Sequence, residues 1–460
     1  MTVKVGVVLA AGLGKRMNSK RHKVVHEICG KPMIAYVVDE LLAAGVDRLF
    51  VVVGRLEDQV RAVLGERVRF IRQEEQLGTG HAVLQAVPHL PEDSVTVVLN
   101  GDCPLIRRQE IQRLMNVAAE REASAVMTAS VDDPFAYGRV MRDEQGAVMR
   151  IVEERDASAQ ERLIREINGG VFAFRTPDLI GALRKLTSDN AQGELLLTDC
   201  VAHMRAVNQF VWPVLAEDPN DLAGVNDRLQ LADVEARMKT RILTEHMKNG
   251  VTVIDPSSTY VHAEVAIGCD TVLCPGTSLE GRTVIGEDCV IGPNARLVDV
   301  KAGSGVTVQA ALVMESRLGD DASVGPYAYI RPGSDIGAGA KIGNFVEIKN
   351  SVVGEGTKVS HLSYIGDSEI GSRVNIGCGV VTVNYDGYQK NRTVVGDDSF
   401  VGSSVNLIAP IQVGREAYIA TGSTITDEVP DGAFAIARER QTTKPEYATR
   451  LRMKLKQRIR

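Results

Sequence analysis

A glycine-rich loop near the start of the chain carries residue types that can bind phosphate. An aliphatic run at residues 3–9 leads into a loop at residues 9–17 with the sequence Leu-Ala-Ala-Gly-Leu-Gly-Lys-Arg-Met. Backbone amides in such a loop can approach phosphate oxygens closely. It is not a Walker A motif, because no Ser or Thr follows Lys15, and it is not a dinucleotide fingerprint, because Met17 stands at the third glycine position. The alternative is a tight strand-to-helix turn without a ligand.

His361 is the second candidate for chemistry, because an imidazole with an unperturbed pKa of about 6.5 can exchange protons at neutral pH. A lone histidine is more often structural. However, Arg331, Lys349 and Tyr364 lie near multiples of about 18 residues from one another, and that is one coil of a hexapeptide solenoid. In such a fold these side chains could stack near His361 along one edge.

Residues 1–227 have the pattern of an α/β domain. Short aliphatic runs that predict buried strands include residues 3–9, 49–53 and 95–99. Apolar residues at helical spacing between Pro32 and Gly45 predict a helix. Strands that alternate with helices predict a mostly parallel sheet, with a ligand crevice at the carboxyl ends of the strands. The 9–17 loop and Asp102 both follow such strands.

A long helix is predicted next, because residues 227–249 contain neither Pro nor Gly and Gly250 ends the segment. We therefore predict an α/β domain at residues 1–227, a helical linker at 228–249, and a repeat domain with a C-terminal tail at 250–460.

The second half of the chain is a hexapeptide repeat. Aliphatic residues recur at six-residue spacing in four registers, which are Ile267, Leu273, Leu279, Ile285, Ile291, Leu297; Val306, Leu312, Leu318, Val324, Ile330, Ile336, Ile342, Ile348; Val353, Val359, Ile365; and Val395, Val401, Leu407, Val413, Ile419, Ile425. This pattern predicts a parallel β-helix in which each face contributes one inward aliphatic residue. About ten coils would form a prism ~50 Å long. The alternative is an ordinary β-sandwich with accidental spacing.

The repeat is interrupted between Ile376 and Val395, which predicts a loop extruded from the solenoid at residues 384–392. Loops of this kind usually carry binding residues. The tail from Arg438 is basic, and it has apolar residues at helical spacing, namely Leu451, Leu455 and Ile459. We expect this tail to be a structural cap or a subunit contact rather than a nucleic-acid arm.

Composition narrows the class of protein. The chain has 53 basic and 59 acidic residues, for a net charge of −6, which argues against a nucleic-acid partner. No stretch reaches the roughly 18 apolar residues of a membrane span. The seven cysteines form no Cys-x-x-Cys pair, which favours a reducing compartment. The expectation is a cytoplasmic protein.

The first half resembles the sugar-1-phosphate nucleotidylyltransferases, whose signature the 9–17 loop matches. Arg16 and Lys23 stand where that family contacts the triphosphate, and the resemblance gives both a catalytic role. Gln73 and residues 76–81 are similar to the uracil-reading segment of the uridylyl branch. The resemblance implies substrate contacts at Leu9, Ala10, Ala11, Gly12, Lys23, Gln73, Gly78, Thr79, Gly138, Glu153, Asn168 and Asn226.

The same resemblance implies a magnesium site. Asp102, in Asn-Gly-Asp at the end of a strand, matches the family's first ligand, and Asn226, in Gly-Val-Asn, matches its second. Mg²⁺ keeps several waters and needs only one or two side-chain oxygens in addition to phosphate.

Over essentially the whole chain the sequence resembles the bacterial bifunctional family of N-acetylglucosamine-1-phosphate uridylyltransferases and glucosamine-1-phosphate N-acetyltransferases. The acyltransferase motifs of that family are found at residues 331–333, 344–349, 360–364, 375 and 384–387. The resemblance implies an N-terminal Rossmann-like nucleotidyltransferase domain, a long connecting helix and a C-terminal left-handed parallel β-helix.

By this resemblance His361 is the general base that takes a proton from the sugar amine. Arg331 and Lys349 would hold the sugar phosphate, while Tyr364 and Asn375 would orient the sugar. Contacts with acetyl-CoA are implied for Cys378, Asn384, Tyr385, Ser403, Thr421 and Arg438.

The implied reactions convert glucosamine-1-phosphate, acetyl-CoA and UTP, with Mg²⁺, into UDP-N-acetylglucosamine by way of N-acetylglucosamine-1-phosphate. The resemblance also implies a homotrimer, because the family's acyltransferase pocket is completed between adjacent prisms. One alternative is a single-activity nucleotidylyltransferase whose β-helix regulates or assembles subunits. Another is a scaffold or a zinc-dependent solenoid, which would need more histidines than His262 and His361.

The sequence departs from the family pattern at several positions. The usual residues are threonine at 15, proline at 22, threonine at 169, an aromatic pair at 195–196 and alanine at 378. This chain has Lys15, His22, Gly169, Leu195, Leu196 and Cys378. These departures bear on sugar selection and leave the phosphate and metal positions intact.

Overall fold

The computed structural model describes residues 2–12 and 14–458, so Leu13 of the glycine loop and Ile459 of the tail lie outside the described residues. The chain divides into two compact units, Met1–Ile242 and Leu243–Arg460. Among the described helices, none combines the length and apolarity needed to cross a membrane.

The first unit is built on a nine-stranded mixed sheet. Its strands, with the separate hairpin β2–β3, are β1 (Val3–Ala10), β2 (Glu27–Ile28), β3 (Lys31–Pro32), β4 (Arg48–Val53), β5 (Arg69–Arg72), β6 (Ser94–Asn100), β7 (Ser124–Ser130), β8 (Arg139–Arg142), β9 (Val148–Val152), β10 (Glu166–Arg175) and β11 (Val211–Leu215). The helices are α1 (Met33–Ala43), α2 (Glu57–Leu64), α3 (Thr79–Ala86), α4 (Arg108–Glu120), α5 (Thr176–Leu183) and α6 (Asp199–Arg205). A further helix, α7 (Arg228–Lys248), begins in the first unit and ends in the second.

The strand order is β11-β7-β10-β6-β1-β4-β5, with β8 and β9 attached beside β10. The pairs β1–β4, β1–β6, β4–β5 and β7–β11 are parallel, whereas β10 runs antiparallel to β6 and β7. The predicted α/β sheet is therefore confirmed, with β10 as an antiparallel insertion.

Both faces of this sheet are buried, which explains the unbroken aliphatic runs of its central strands. Along β1, Val5 and Val7 belong to one apolar cluster, and Val8 and Ala10 belong to the other. Helices α1 and α4 cover one face, while α3, α5 and α6 cover the opposite face. The carboxyl ends of β1, at Ala10, and of β6, at Asn100, lie at the edge of the sheet, where loops can form a site.

The predicted long helix is α7. Its first turn is capped by Asp227, whose Oδ1 accepts hydrogen bonds from the backbone amides of Leu229 (3.0 Å) and Gln230 (2.9 Å).

The second unit is a parallel β-helix of three sheets. Sheet 1 contains Thr252–Val253, Val272–Leu273, Val290–Ile291, Thr307–Val308, Ser323–Val324, Lys341–Asn344, Lys358–His361, Asn375–Ile376, Phe400–Val401, Tyr418–Ile419 and Phe434–Ala435. Sheet 2 contains Tyr260–Val261, Ser278–Glu280, Arg296–Val298, Leu312–Met314, Tyr329–Ile330, Glu347–Lys349, Tyr364–Gly366, Val381–Val383, Asn406–Ile408 and Thr424–Ile425. Sheet 3 contains Ala266–Ile267, Val284–Ile285, Lys301–Ala302, Arg317–Leu318, Asp335–Ile336, Val352–Val353, Ser368–Ile370, Thr393–Val395 and Ile411–Val413.

The chain passes through the three sheets in turn, and strands on successive coils pair in parallel. This arrangement is consistent with the left-handed β-helix that the resemblance implies. The sandwich alternative is wrong. The C-terminal tail forms a last helix, α8 (Tyr447–Arg458), whose described side chains are exposed.

The predicted inward positions are buried for most of the solenoid, and three need correction. Leu312 is only half-buried, because Val313 points inward in its place. Val306 is buried just before its strand, and Val308 is the inward strand residue. Faces near these positions hold five residues instead of six, so the strict period slips. Ile267, in the first coil, is also only half-buried.

The interruption of the repeat is an extruded loop, as predicted. Asn375 pairs with Phe400 on the next coil, although most coils need only 16 to 18 residues. Within the loop, Tyr385 and Lys390 form an antiparallel bridge.

Candidate active sites

A cleft of about 480 Å³ opens at the carboxyl ends of β1 and β6. Its lining residues are Leu9, Ala10, Ala11, Gly12, Gly14, Lys15, His22, Lys23, Val24, Gln73, Gln76, Gly78, Thr79, Ala82, Asn100, Asp102 and Glu194. The glycine loop and the uracil-reading segment predicted from the sequence therefore meet in one place. Arg16 is exposed on the short turn Lys15–Met17 and is not part of this lining.

The side-chain oxygens of Asp102 and Asn226 face the same ammonium group in this cleft. The ammonium of Lys23 forms an ion pair with Oδ2 of Asp102 and lies 3.3 Å from Oδ1 of Asn226. The backbone amide of Val225 also donates to the carbonyl of Asp102 at 3.0 Å, which holds the Asn226 segment beside the end of β6. A carboxylate and an amide oxygen that face the same positive charge fit the ligand set that Mg²⁺ prefers.

Cys103 adds an orienting contact to Asp102. Its thiol lies 3.6 Å from Oδ1 of Asp102 and is buried. Burial, together with the charge of Asp102, raises the pKa of the thiol well above its ordinary value. The thiol therefore stays protonated and can donate to the carboxylate.

The predicted uracil-reading segment is held by hydrogen bonds between its own residues. The Nε2 of Gln73 donates to the carbonyl of Gly78 (3.3 Å) and lies 2.9 Å from Nδ1 of His81. Gly78 has φ of 113° and a Cβ there would come 2.5 Å from the carbonyl oxygen of Leu195, so only glycine permits this approach. Leu195, one of the departures, thus braces the segment through its backbone.

The predicted sugar contacts lie together at the edge of β8–β10. The backbone amide of Asn168 donates to the carbonyl of Gly138 at 2.8 Å, and a Cβ on Gly138 would lie 3.6 Å from Oε1 of Glu153. Thr198 donates to that oxygen at 3.1 Å. Burial raises the pKa of Glu153, with smaller contributions from nearby aspartates. Glu153 is a half-buried carboxyl group whose oxygen can accept a hydrogen bond from a sugar hydroxyl.

Two further departures have structural consequences. His22 is buried, and its Nδ1 accepts from the amide of Val24 at 3.4 Å. Burial, and then the charge of Lys23, lower the pKa of His22 from 6.5 to about 4, so it is neutral at neutral pH. A Cβ on Gly169 would come 2.5 Å from Cδ1 of Leu222, so a threonine there would require this leucine to move.

In the second unit, His361 is exposed at the end of a sheet 1 strand and pairs in register with Asn344 on the preceding coil. Its Nδ1 lies 2.6 Å from Oδ1 of Asn344. An amide oxygen can only accept, so in the neutral imidazole Nδ1 carries the proton and Nε2 is left with a lone pair. This is the tautomer that a general base requires.

Equivalent positions on successive coils form a ladder along this corner. Continuing the register by two residues from Val359–Ile376, Ile376–Val401 and Val401–Ile419 places Cys378, Ser403 and Thr421 in line with His361. Backbone hydrogen bonds of 2.7 Å from Ser404 to Cys378 and 2.9 Å from Gly422 to Ser403 join the rungs. A Cβ on Gly422 would lie 3.7 Å from Cδ of Arg438, which extends the ladder to that residue. We call this set the His361 corner.

The predicted sugar-phosphate residues lie on the neighbouring sheet 2. Nη1 of Arg331 donates to Oε1 of Glu347 at 2.9 Å, and Nζ of Lys349 lies 2.9 Å from Oδ2 of Asp367. Tyr364 pairs in register with Glu347. Predicted Asn375 is half-buried at the start of its strand in sheet 1.

The extruded loop begins with the other two predicted acetyl-CoA contacts. Asn384 is buried, and its Nδ2 donates to Oδ2 of Asp367 at 2.5 Å. Tyr385 is half exposed, and the ammonium of Lys390 lies 4.3 Å from its ring centroid. The loop is therefore anchored to the sheet 2 residues at one end.

The sequence patterns predicted no role for Cys103 or Asp367, and they included Asn344 and Glu347 only as members of the 344–349 motif, without individual roles. Coil spacing could have identified Asn344, which precedes His361 by 17 residues. Within residues 2–12 and 14–458, no three His, Cys, Asp or Glu side chains gather into a metal-binding group.

A cleft lined by a glycine loop in an α/β unit, together with a histidine on a hexapeptide β-helix, is the arrangement of a class of transferases with one site in each unit. In agreement, residues 6–206 match the model of the MobA-like NTP transferase domain, and residues 317–413 match the GMPPB C-terminal domain.

Relatives match over nearly the full chain. "Bifunctional protein GlmU" of Brevibacillus brevis is 53% identical over 447 residues, covering 97% of each chain. The proteins of the same name from a Geobacillus species (49% identical, 99% of each chain) and from Caldanaerobacter subterraneus subsp. tengcongensis (51%, 96% of each chain) agree. The chain belongs to the GlmU family, which confirms the predicted family of bifunctional enzymes and disfavours the single-activity and scaffold alternatives.

Proposed function

We propose that the two sites act in series to make UDP-N-acetylglucosamine. The second unit would acetylate glucosamine-1-phosphate with acetyl-CoA, and the first would transfer UMP from UTP to the N-acetylglucosamine-1-phosphate so formed, with release of pyrophosphate. The observation that carries the proposal is the coexistence of two separately built polar sites in one chain whose full length matches bifunctional relatives.

For acetyl transfer, Nε2 of His361 takes a proton from the sugar amine as its nitrogen attacks the thioester carbonyl carbon. The C–N bond forms, the C–S bond breaks, and the CoA sulfur leaves and takes up a proton. Asn344 supports this role because it holds the required tautomer. Arg331 and Lys349 bind the sugar phosphate, Tyr364 and Asn375 orient the sugar, and the His361 corner with Asn384 and Tyr385 binds acetyl-CoA.

For uridylyl transfer, a phosphate oxygen of the sugar phosphate attacks the α-phosphorus of UTP, and the bond to pyrophosphate breaks. No protein nucleophile is needed, so the residues contribute by position and charge. Lys23 and Arg16 neutralise the triphosphate and the leaving pyrophosphate. Asp102 and Asn226 would hold Mg²⁺, which supplies positive charge to the phosphate oxygens when bound.

The same proposal covers substrate selection in the first unit. Gln73, Gly78 and Thr79 read the uracil base, whereas Leu9, Ala10, Ala11 and Gly12 line the phosphates. Gly138, Glu153 and Asn168 contact the sugar.

Assembly and location complete the proposal. We propose a homotrimer in which neighbouring copies complete the acetyltransferase pocket, a division into residues 1–227, 228–249 and 250–460, and a cytoplasmic location, where a reducing environment keeps free thiols reduced. The seven cysteines form no disulfide, which supports the last point.

Mass spectrometry of the products tests the function directly. The full chain, incubated with glucosamine-1-phosphate, acetyl-CoA, UTP and Mg²⁺, should yield UDP-N-acetylglucosamine, CoA and pyrophosphate. Omission of acetyl-CoA should abolish the product, and N-acetylglucosamine-1-phosphate should restore it. If the product forms only from the acetylated sugar, whatever the acetyl-CoA concentration, the protein is a single-activity nucleotidylyltransferase and the proposed function is wrong.

A further inference from the structure

Asp367 connects residues that the proposed mechanism assigns to different substrates. It occupies a corner of the β-helix with φ of 49°, and its carboxylate is largely buried. Nζ of Lys349 donates to both carboxylate oxygens, at 3.1 and 2.9 Å, and Nδ2 of Asn384 donates to Oδ2 at 2.5 Å. Asn350 donates to Oδ1 at 2.8 Å. Two side chains from the preceding coil and one from the extruded loop thus share the carboxylate of Asp367.

The contact with Lys349 restricts a flexible side chain. An ammonium has three N–H donors on a four-carbon stem, and it loses considerable rotamer freedom when it is held. Because two of these donors face Asp367, the third has a defined direction. A phosphate can then be bound by a cation that is already in position.

The contact with Asn384 extends the network toward the sugar. Nδ2 of Asn384 also lies 3.3 Å from Oη of Tyr364. Both groups converge over Gly366, where a Cβ would come 2.5 Å from Oη and 2.7 Å from Nδ2. The missing side chain at Gly366 gives the two polar groups room to meet beside Asp367.

We infer that Asp367 is a positioning residue that sets the geometry of the sugar-phosphate contact Lys349 and of the acetyl-CoA contact Asn384 together. The inference rests on the proposed function, because it takes the roles of these two residues from there. It predicts that one substitution, at a residue that need touch neither substrate, weakens the binding of both.

The charge state of Asp367 agrees with this role. Burial alone would raise its pKa, but hydrogen bonds from Asn350, Lys349 and Asn384 outweigh that effect and lower the pKa overall. The carboxylate therefore remains an acceptor for all its partners at neutral pH.

Asp367→Asn in the full chain tests the inference, because the amide keeps the shape and loses the charge and one acceptor. With glucosamine-1-phosphate and acetyl-CoA as substrates and CoA thiol release as the readout, we expect the KM of each substrate to rise about tenfold. The kcat should change less than about threefold, since His361 is untouched. Asp398→Asn is the matched control: Asp398 is also a corner residue (φ 60°) and pairs with Arg373 at 2.7 Å, away from the proposed contacts.

A second variant tests the inference even if Asp367→Asn fails to fold. Asn350→Ala removes one hydrogen bond to Asp367 and leaves the carboxylate in place, so both KM values should rise in the same direction by about twofold to threefold. Unchanged KM values in a variant with wild-type circular dichroism and melting temperature overturn the inference, and so does a rise that Asp398→Asn reproduces. If wild-type protein transfers no acetyl group, the proposed function itself fails, and the two failures are thus distinguishable.

Discussion

The two candidate sites differ in how far apart along the chain their contacting residues lie. In the first unit, Lys23, Asp102 and Asn226 meet although 79 residues separate the first pair and 203 separate Lys23 from Asn226. In the β-helix, Asn344 contacts His361 across 17 residues, and Lys349 contacts Asp367 across 18. An α/β sheet gathers strand ends from anywhere in its order, whereas a solenoid stacks residues one coil apart.

The difference extends to solvent. Asp102 and Lys23 are largely shielded, with side chains 14% and 15% exposed, whereas His361 lies on an exposed corner. A shielded cleft strengthens charge interactions with a triphosphate. An exposed corner suits a site that neighbouring copies complete, as proposed above.

The largest effect should come from the first site. Asp102→Ala removes a proposed metal ligand and the partner of Lys23, so we expect uridylyl transfer to fall by about 10³-fold or more. Acetyl transfer should be unchanged. Pyrophosphate release with UTP, N-acetylglucosamine-1-phosphate and Mg²⁺ measures the first activity, and CoA release measures the second.

Asp218→Ala serves as the control, because Asp218 is another loop aspartate of the first unit that accepts a backbone hydrogen bond, at 2.9 Å from Asn220. Undiminished Mg²⁺-dependent pyrophosphate release by Asp102→Ala would contradict the role of Asp102.

The converse change tests the other site. His361→Ala removes the proposed base, so the kcat of acetyl transfer should fall by about 10²-fold or more, and uridylyl transfer should be unaffected. His262→Ala is a matched control, since His262 is another histidine of the β-helix and accepts from the amide of Gly281 at 3.0 Å. If His361→Ala still transfers acetyl groups at the wild-type rate, another residue must act as the general base.

Sequence patterns predicted the fold well where one physical rule dominated. The six-residue period follows from one inward side chain per face, and it failed where a face holds five residues, as near Val308 and Val313, and at Ile267 in the first coil. The antiparallel direction of β10 could not be predicted, because strand direction depends on a β8–β9 excursion that leaves no periodic signal.

The candidate sites also contain some residues that could be predicted from the sequence and others that could not. Asn344 was recoverable in principle, since a coil length places it beside His361. Cys103 and Asp367 were not, because a thiol beside a ligand and a carboxylate at a corner are common without function. A functional role for such residues can be recognised only from contact distances in the structure.

A smaller effect separates orientation from base chemistry. Asn344→Ala removes the acceptor for Nδ1 of His361, so the ring can adopt the other tautomer, and kcat for acetyl transfer should fall about tenfold. The KM of glucosamine-1-phosphate should stay within about twofold of the wild-type value. Asn406→Ala, an outward asparagine elsewhere on the β-helix that contacts Thr424 at 3.4 Å, is the control. A change confined to KM would give Asn344 a binding role instead.

The smallest effect concerns acid stability, and it should distinguish the two units. His22 is neutral in the folded protein because its pKa is lowered to about 4, whereas in the unfolded chain it titrates near 6.5. The unfolded state therefore binds more protons between these values, and stability present above pH 6.5 is lost as the pH falls toward 4. From pH 7 to pH 5 the loss should be about 2 kcal/mol.

The single tryptophan of the chain, Trp212, lies in the first unit and reports its unfolding in urea by fluorescence. His22→Asn keeps a side chain that can cap the turn at Val24 but cannot titrate, so the stability of this unit should depend less steeply on pH. His262→Asn, in the β-helix, should leave the Trp212 transition unchanged at every pH. An equally steep pH dependence in wild type and His22→Asn would mean that acid acts on the first unit through other groups, such as His26, whose pKa is also lowered by burial and by Arg228.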